Sequence, residues 1–239
     1  MKKRNFSLFI LLCGVLFFGS VQSAYAVGPY TPLADTYTLL NDPNIIAGSE
    51  LYLFLSASNL AGCVPTSYVW LKFQVPNPSA TIATAILSVP IDPVYPGDEP
   101  LDMELRSSSD TTWQEASLNW ANQPTLDPTV LATASSTVAP SDALFMGPTF
   151  ADYLNSRKGQ LVSLVVKANC NGNVSVSADR VIPARENTTW HKVELDLRSP
   201  SNVGLLDMKG STGTQPGQIV ILGILVGLSL AFAVGKKSY

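Results

Sequence analysis

Tyr68-Val69-Trp70-Leu71-Lys72-Phe73-Gln74-Val75 alternates without a break. Val69, Leu71, Phe73 and Val75 share one face at a spacing of two, and Tyr68, Trp70, Lys72 and Gln74 share the other. A helix would scatter the four apolar side chains around its circumference, so the stretch predicts a strand with one face in a core. Working outward, similar alternating or β-branched runs occur at Leu51–Ser56, Thr81–Val89, Leu101–Arg106, Leu161–Lys167, Val174–Ala178 and Lys192–Leu197. Turn residues separate them at Pro76-Asn77-Pro78, Pro93 to Pro100 and Asn169 to Asn173. Phe150 to Arg157 reads as one short helix. Many strands without intervening helices predict an all-β fold, an antiparallel β-sandwich.

Composition agrees. Of 239 residues, 46% are hydrophobic and 14% charged, against about 25% charged in an average soluble domain. With 17 Pro and 16 Gly, this excludes a helical bundle or coiled coil, whose surfaces draw on Lys, Glu and Arg. The ends read differently from the middle. Lys2, Lys3 and Arg4 precede an apolar run from Phe6 to Phe18 and then Ala24-Tyr25-Ala26, the plan of a secretory signal peptide over residues 1–26. Leu12 before Cys13 does not suit a lipoprotein signal. Ile219 to Val234 is a second apolar run, followed by Gly235, Lys236 and Lys237. It predicts a transmembrane helix over 219–235 with a cytoplasmic tail at 236–239. Residues 199–218, rich in Ser, Gly, Thr and Pro, read as a flexible linker. One domain over 27–198 is therefore expected outside the cell, tied to the membrane by the C-terminal helix.

Charge sorts by compartment. Five of the 15 basic residues lie in the end segments, whereas all 18 acidic residues fall between Asp35 and Asp207. The exported part thus carries ten basic against 18 acidic side chains, a balance that repels nucleic acid. In an oxidising compartment Cys63 and Cys170, both in turn-like sequence, are expected to form one disulfide.

Three stretches together resemble one family. Leu33-Ala34-Asp35-Thr36-Tyr37 followed by Gly48-Ser49-Glu50-Leu51 looks like its opening, an acidic turn ahead of the first strands. Tyr68 to Phe73 resembles its Y-L-K-F strand. Most specific is Trp113-Gln-Glu115-Ala-Ser-Leu118-Asn119-Trp120-Ala-Asn122-Gln-Pro124, which is similar to the W-x-E-x-x-x-T-W-x-N-x-P signature of the DNRLRE type, also called carbohydrate-binding module family 96. Asn119 stands where Thr is usual, and Ala178-Asp179-Arg180 where the family often shows S-R-E. The resemblance implies a β-jelly-roll module that binds acidic polysaccharide on surface and secreted proteins.

The residues themselves point the same way. His191 is the only histidine, so a His-based zinc cluster is excluded and any Ser-His-Asp triad would have to run through it. Acid pairs such as Asp98 with Glu99, or Asp102 with Glu104, carry no mark of a glycosidase. No enzymatic activity is expected. Sugar binding needs an aromatic face and polar or cationic groups at its rim, which Tyr68, Trp70 and Lys72 offer on one face of one strand. Arg180 or Lys167 on neighbouring strands could pair with a uronate carboxylate. Trp113 and Trp120 read as a lock holding a loop on the core. Asp35, Asn41, Asp42 and Glu50 supply hard oxygens suited to a structural Ca²⁺, without EF-hand spacing. Asn173-Val-Ser175 and Asn187-Thr-Thr189 are glycosylation sequons. The expected function is non-catalytic carbohydrate binding at the cell surface. A structural surface protein, an adhesin or envelope component using the same fold without a sugar site, is the alternative.

Overall fold

The alternating stretch becomes a central strand in the computed structural model, which describes residues 27–58, 63–92, 100–136, 142–170 and 178–199. That strand, β5 (Ser67–Gln74), lies between β2 (Ala34–Leu39) and β10 (Leu161–Ala168). The five-stranded sheet continues through β7 (Leu101–Ser108) to β8 (Ala132–Ser136). A four-stranded sheet runs in the order β1 (Val27–Tyr30), β12 (Glu194–Arg198), β6 (Thr84–Val89), β9 (Ala143–Met146). A third sheet joins β11 (Ala178–Pro183), β3 (Tyr52–Ser58) and β4 (Val64–Pro65). All of these pairings are antiparallel.

The five-stranded sheet meets the other two across one apolar core. Val69, Leu71 and Phe73 of β5 are buried in the same cluster as Leu53 and Leu55 of β3, Leu87 of β6 and Leu195 of β12. Each lies on the inward side of its strand, so the period-two pattern translates directly into burial. The helix α1 (Pro148–Ser156) starts with Pro at its first turn, where the missing N–H costs nothing, and buries Phe150, Ala151 and Leu154. The all-β antiparallel sandwich is thus observed, and the chain changes sheet between most successive strands.

One expectation needs correction, and another falls largely outside the described residues. The Asp35 segment is not a turn but the edge strand β2, paired with β5 from Ala34↔Lys72 to Leu39↔Ser67. Thr36, Tyr37 and Thr38 favour a strand, and burial of both faces hides any alternation. The run expected at Val174–Ala178 has only Ala178 among the described residues, where β11 begins. From there to Pro183 five of six positions are buried, so no period of two is visible.

Cys63 and Cys170 form a disulfide with Cα atoms 5.0 Å apart, and both pack against the core. It ties the start of β4 to the chain just beyond β10.

The signal peptide expected over 1–26, the linker from residue 200, the membrane helix at 219–235 and the tail at 236–239 lie outside the described residues. Among those described, no helix is long and apolar enough to cross a membrane.

Candidate functional site

The outer face of the five-stranded sheet is written by strand register. One row across it reads Thr38, Tyr68, Lys167, Glu104; the next reads Thr36, Trp70, Val165, Arg106; the third reads Ala34, Lys72, Ser163, Ser108. Tyr68, Trp70 and Lys72 therefore do share the non-core face. The face is not open, however. Residues 113–126 lie across it and form a second small core in which Trp70, Trp113, Leu118 and Val165 are buried, with Tyr68, Ala34 and Leu126 packed alongside.

This covering loop is held at both ends. Trp113 stands edge-on to Trp70, and its Nε1 donates to Ser163 Oγ at 2.9 Å. Lys72 Nζ sits 4.3 Å from the Trp113 ring centroid and donates to the Trp113 carbonyl. Burial pulls the Lys72 ammonium below its ordinary value, and the nearby Asp110 and Glu115 carboxylates partly offset this. Asn119 and Asn122 exchange backbone-to-side-chain hydrogen bonds at 2.8 and 3.1 Å, which fixes the turn around Trp120. Farther along, Ser108 Oγ donates to the Thr125 carbonyl and Ser107 Oγ to Asp127. Trp70 is 0% exposed. It cannot offer a ring face to a sugar, and Lys72 is committed to the loop. The W-x-E segment is a lock, as its composition suggested, but it closes on the outside of the sheet rather than on the main core.

Arg180 also departs from its expected place at a sugar rim. It is 0% exposed, with Nε donating to Ser136 Oγ and Nη2 to the Ser136 carbonyl, so it ties β11 to the end of β8. Asn187 is buried, and its Oδ1 accepts from Thr189 N and Trp190 N. That sequon organises a turn and is not open to a glycan. His191 is exposed in the loop ahead of β12. Asp98, Glu99 and Asn173 lie outside the described residues.

What stays partly accessible is the middle of the Tyr68 row, Tyr68 and Lys167, between buried Thr38 and Glu104. Tyr68 and Trp120 are half-buried and packed on each other, ring centroids 4.9 Å apart. Lys167 Nζ lies 5.7 Å from the Tyr68 centroid and 2.9 Å from Glu104 Oε1, and Arg106 Nε reaches that same oxygen at 2.7 Å. Two cations on one carboxylate leave a net positive charge beside the aromatic pair. Burial raises the Glu104 pKa, but Arg106 and Lys167 outweigh it and hold the carboxyl below its ordinary range. Lys167 was named from the sequence as a cation near this face, but Trp120 was not grouped with it and Tyr68, because the contact between residues 68 and 120 arises only when the loop folds back. A cavity of about 340 Å³ opens elsewhere, between Pro76–Ile82 and Leu197–Ser199. It has no aromatic lining residue and so no stacking platform.

A cluster of acids lies at the edge of β2. One carboxylate oxygen each from Asp35, Glu115 and Glu186 lies within 4.8 Å of the others. Glu115 Oε1 accepts from Asp35 N at 2.7 Å and so caps an N–H on the free edge of the sheet. Arg185 N donates to Asp35 Oδ2, and Arg185 Nη2 bridges Glu115 Oε2 and Glu186 Oε1. Burial, with Glu186 and Glu115 close by, pushes the Asp35 carboxyl up to about 7 despite the Arg185 hydrogen bond. Of the expected calcium ligands only Asp35 belongs to this cluster. Asn41, Asp42 and Glu50 are exposed in the loop before β3. The Trp113 motif did mark Glu115, but nothing periodic points to Arg185 or Glu186.

No curated protein matches the chain. Residues 27–195, more than two thirds of it, match the model for carbohydrate-binding module family 96, and they include every strand of the five-stranded sheet and the loop that covers it. The chain belongs to carbohydrate-binding module family 96.

Proposed function

We propose that the domain is a non-catalytic carbohydrate-binding module, displayed outside the cell on a C-terminal membrane helix. Membership of a carbohydrate-binding family over residues 27–195 carries this reading. The Tyr68 and Trp120 rings are its contact surface, because they are the aromatic pair on the outer sheet face that keeps part of its surface accessible. The ligand is an acidic polysaccharide. Lys167 and Arg106 outnumber Glu104 next to those rings, which favours a uronate carboxylate over a neutral sugar. Export and surface display rest on the sequence at residues 1–26 and 219–239, and the disulfide suits an oxidising compartment.

One observation favours the second reading, a structural surface protein. Trp70 and Lys72, the best sugar platform in the sequence, are sealed beneath Trp113. A glycan array followed by calorimetric titration of the full chain separates the two. Saturable binding to a uronate polysaccharide supports the module. Folded protein that binds no glycan leaves the structural role standing.

A further inference from the structure

We propose that Asp35, Glu115 and Glu186 form a calcium site that clasps the covering loop to the edge of β2, independently of any sugar. Three chain segments far apart in sequence supply the carboxylates: β2, the Trp113 loop, and the turn after β11. Their nearest oxygens lie within 4.8 Å of one another. Two oxygens on one Ca²⁺ at 2.3 to 2.6 Å can stand up to about 5 Å apart, so a single ion reaches all three after shifts of a few tenths of an ångström. Glu186 is half-buried, and its Oε1 is paired with Arg185 Nη2 at 2.6 Å, so an ion would share or take over that contact.

The second observation comes from Asp35 itself. It is 2% exposed, yet its Oδ1 has no hydrogen-bond partner among the described residues. An ionised oxygen buried without a partner costs several kcal/mol, on the order of the penalty for an unpaired buried charge. Among the described residues the Arg185 guanidinium is the cation bonded to these acids, with Lys72 close enough to Glu115 to attract it, against three carboxylates. A divalent ion at the cluster removes this imbalance and gives Oδ1 a partner. The donor set selects the metal. No His or Cys belongs to the cluster, which disfavours zinc, and an irregular cage of protein carboxylates suits Ca²⁺ better than Mg²⁺ with its strict octahedron. The site has a consequence for the fold: it fastens Glu115, two residues from Trp113, to the strand that borders the aromatic face.

The test is calorimetric titration of chelator-stripped full-length protein with CaCl₂, with a MgCl₂ arm and melting curves for both. Expected are one saturable Ca²⁺ site, a rise in Tm with Ca²⁺, and at least tenfold weaker binding of Mg²⁺. Glu186→Gln keeps the turn and removes one ligand charge, and should weaken Ca²⁺ binding at least tenfold. Arg185→Gln removes the competing guanidinium, and should bind Ca²⁺ more tightly than the unaltered protein and be restored toward its Tm by the ion. No saturable binding by the unaltered protein would overturn the proposal, whatever Arg185→Gln does. So would equal affinity in Glu186→Gln, which would move the ion elsewhere.

Discussion

Trp113 stands edge-to-face on Trp70, ring centroids 6.1 Å apart with planes at 69°, and this contact closes the outer face of the sheet. Both indoles are buried away from the main core, so the loop is anchored by its own hydrophobic cluster. Such a pair adds about 0.5 to 1.5 kcal/mol beyond area burial. Trp113→Ala should therefore cost about 3 to 5 kcal/mol, the usual range for removing a buried Trp. Urea unfolding followed by circular dichroism checks this. A red shift in the emission of the remaining tryptophans should accompany it as Trp70 becomes wet.

Gly48 permits the loop to approach the residues ahead of β3. A Cβ at this position would lie 2.3 Å from the Glu115 carbonyl oxygen and 2.4 Å from its carbon, so backbone would have to move. Gly48→Ala is expected to lower stability by about 1 to 3 kcal/mol through this overpacking. Thermal melting beside Gly159→Ala, whose new Cβ would meet only the Asn77 side chain at 3.5 Å or more, separates crowding from the strain of a positive φ at Gly159.

The Cys63–Cys170 disulfide spans 107 residues of sequence. Loop-closure entropy assigns it about 4 to 5 kcal/mol in the chain-entropy model. Replacing both cysteines with Ala should lower the free energy of unfolding in urea by that order and raise the slope, because the unbridged unfolded chain is less compact. A loss under about 1 kcal/mol would mean the bridge adds little to a sandwich that is already closed.

Glu104 gives the protein an acid sensitivity. Its folded pKa lies below the ordinary carboxyl value because Arg106 and Lys167 outweigh the effect of burial. A depressed pKa contributes stability above the unfolded value, near 4.5, that is lost as pH falls through the folded one. Glu104→Gln should therefore cost about 2 kcal/mol at pH 7 and progressively less below pH 4. Stability curves of both proteins from pH 7 to pH 3 should converge at the acid end.

The sandwich was legible because β3, β6 and β12 keep one dry face and β5 alternates in its side chains, and a period of two survives wherever burial is one-sided. It was not legible at β2 and β11, where both faces are covered and the alternation disappears. The site followed the same logic. Register placed Tyr68, Trp70 and Lys72 together correctly, yet periodicity reports which residues share a face and not what lies over it. Trp70 was lost to the site because a loop more than 40 residues later returns to cover it. The acid cluster depends on Arg185 and Glu186, brought to Asp35 across 150 residues by β11, and no local pattern encodes such a meeting.

The most direct test of the account compares the affinity of the full chain for a uronate polysaccharide with that of Trp120→Ala and of Lys167→Gln, each first shown to be folded. The account predicts that Trp120→Ala loses about 1 to 3 kcal/mol of binding, by analogy with other ring-stacking contacts, and that Lys167→Gln loses selectivity for the uronate over a neutral sugar. Binding that survives both substitutions unchanged would contradict the placement of the site on the Tyr68 row, and a chain that binds no glycan would contradict the function itself.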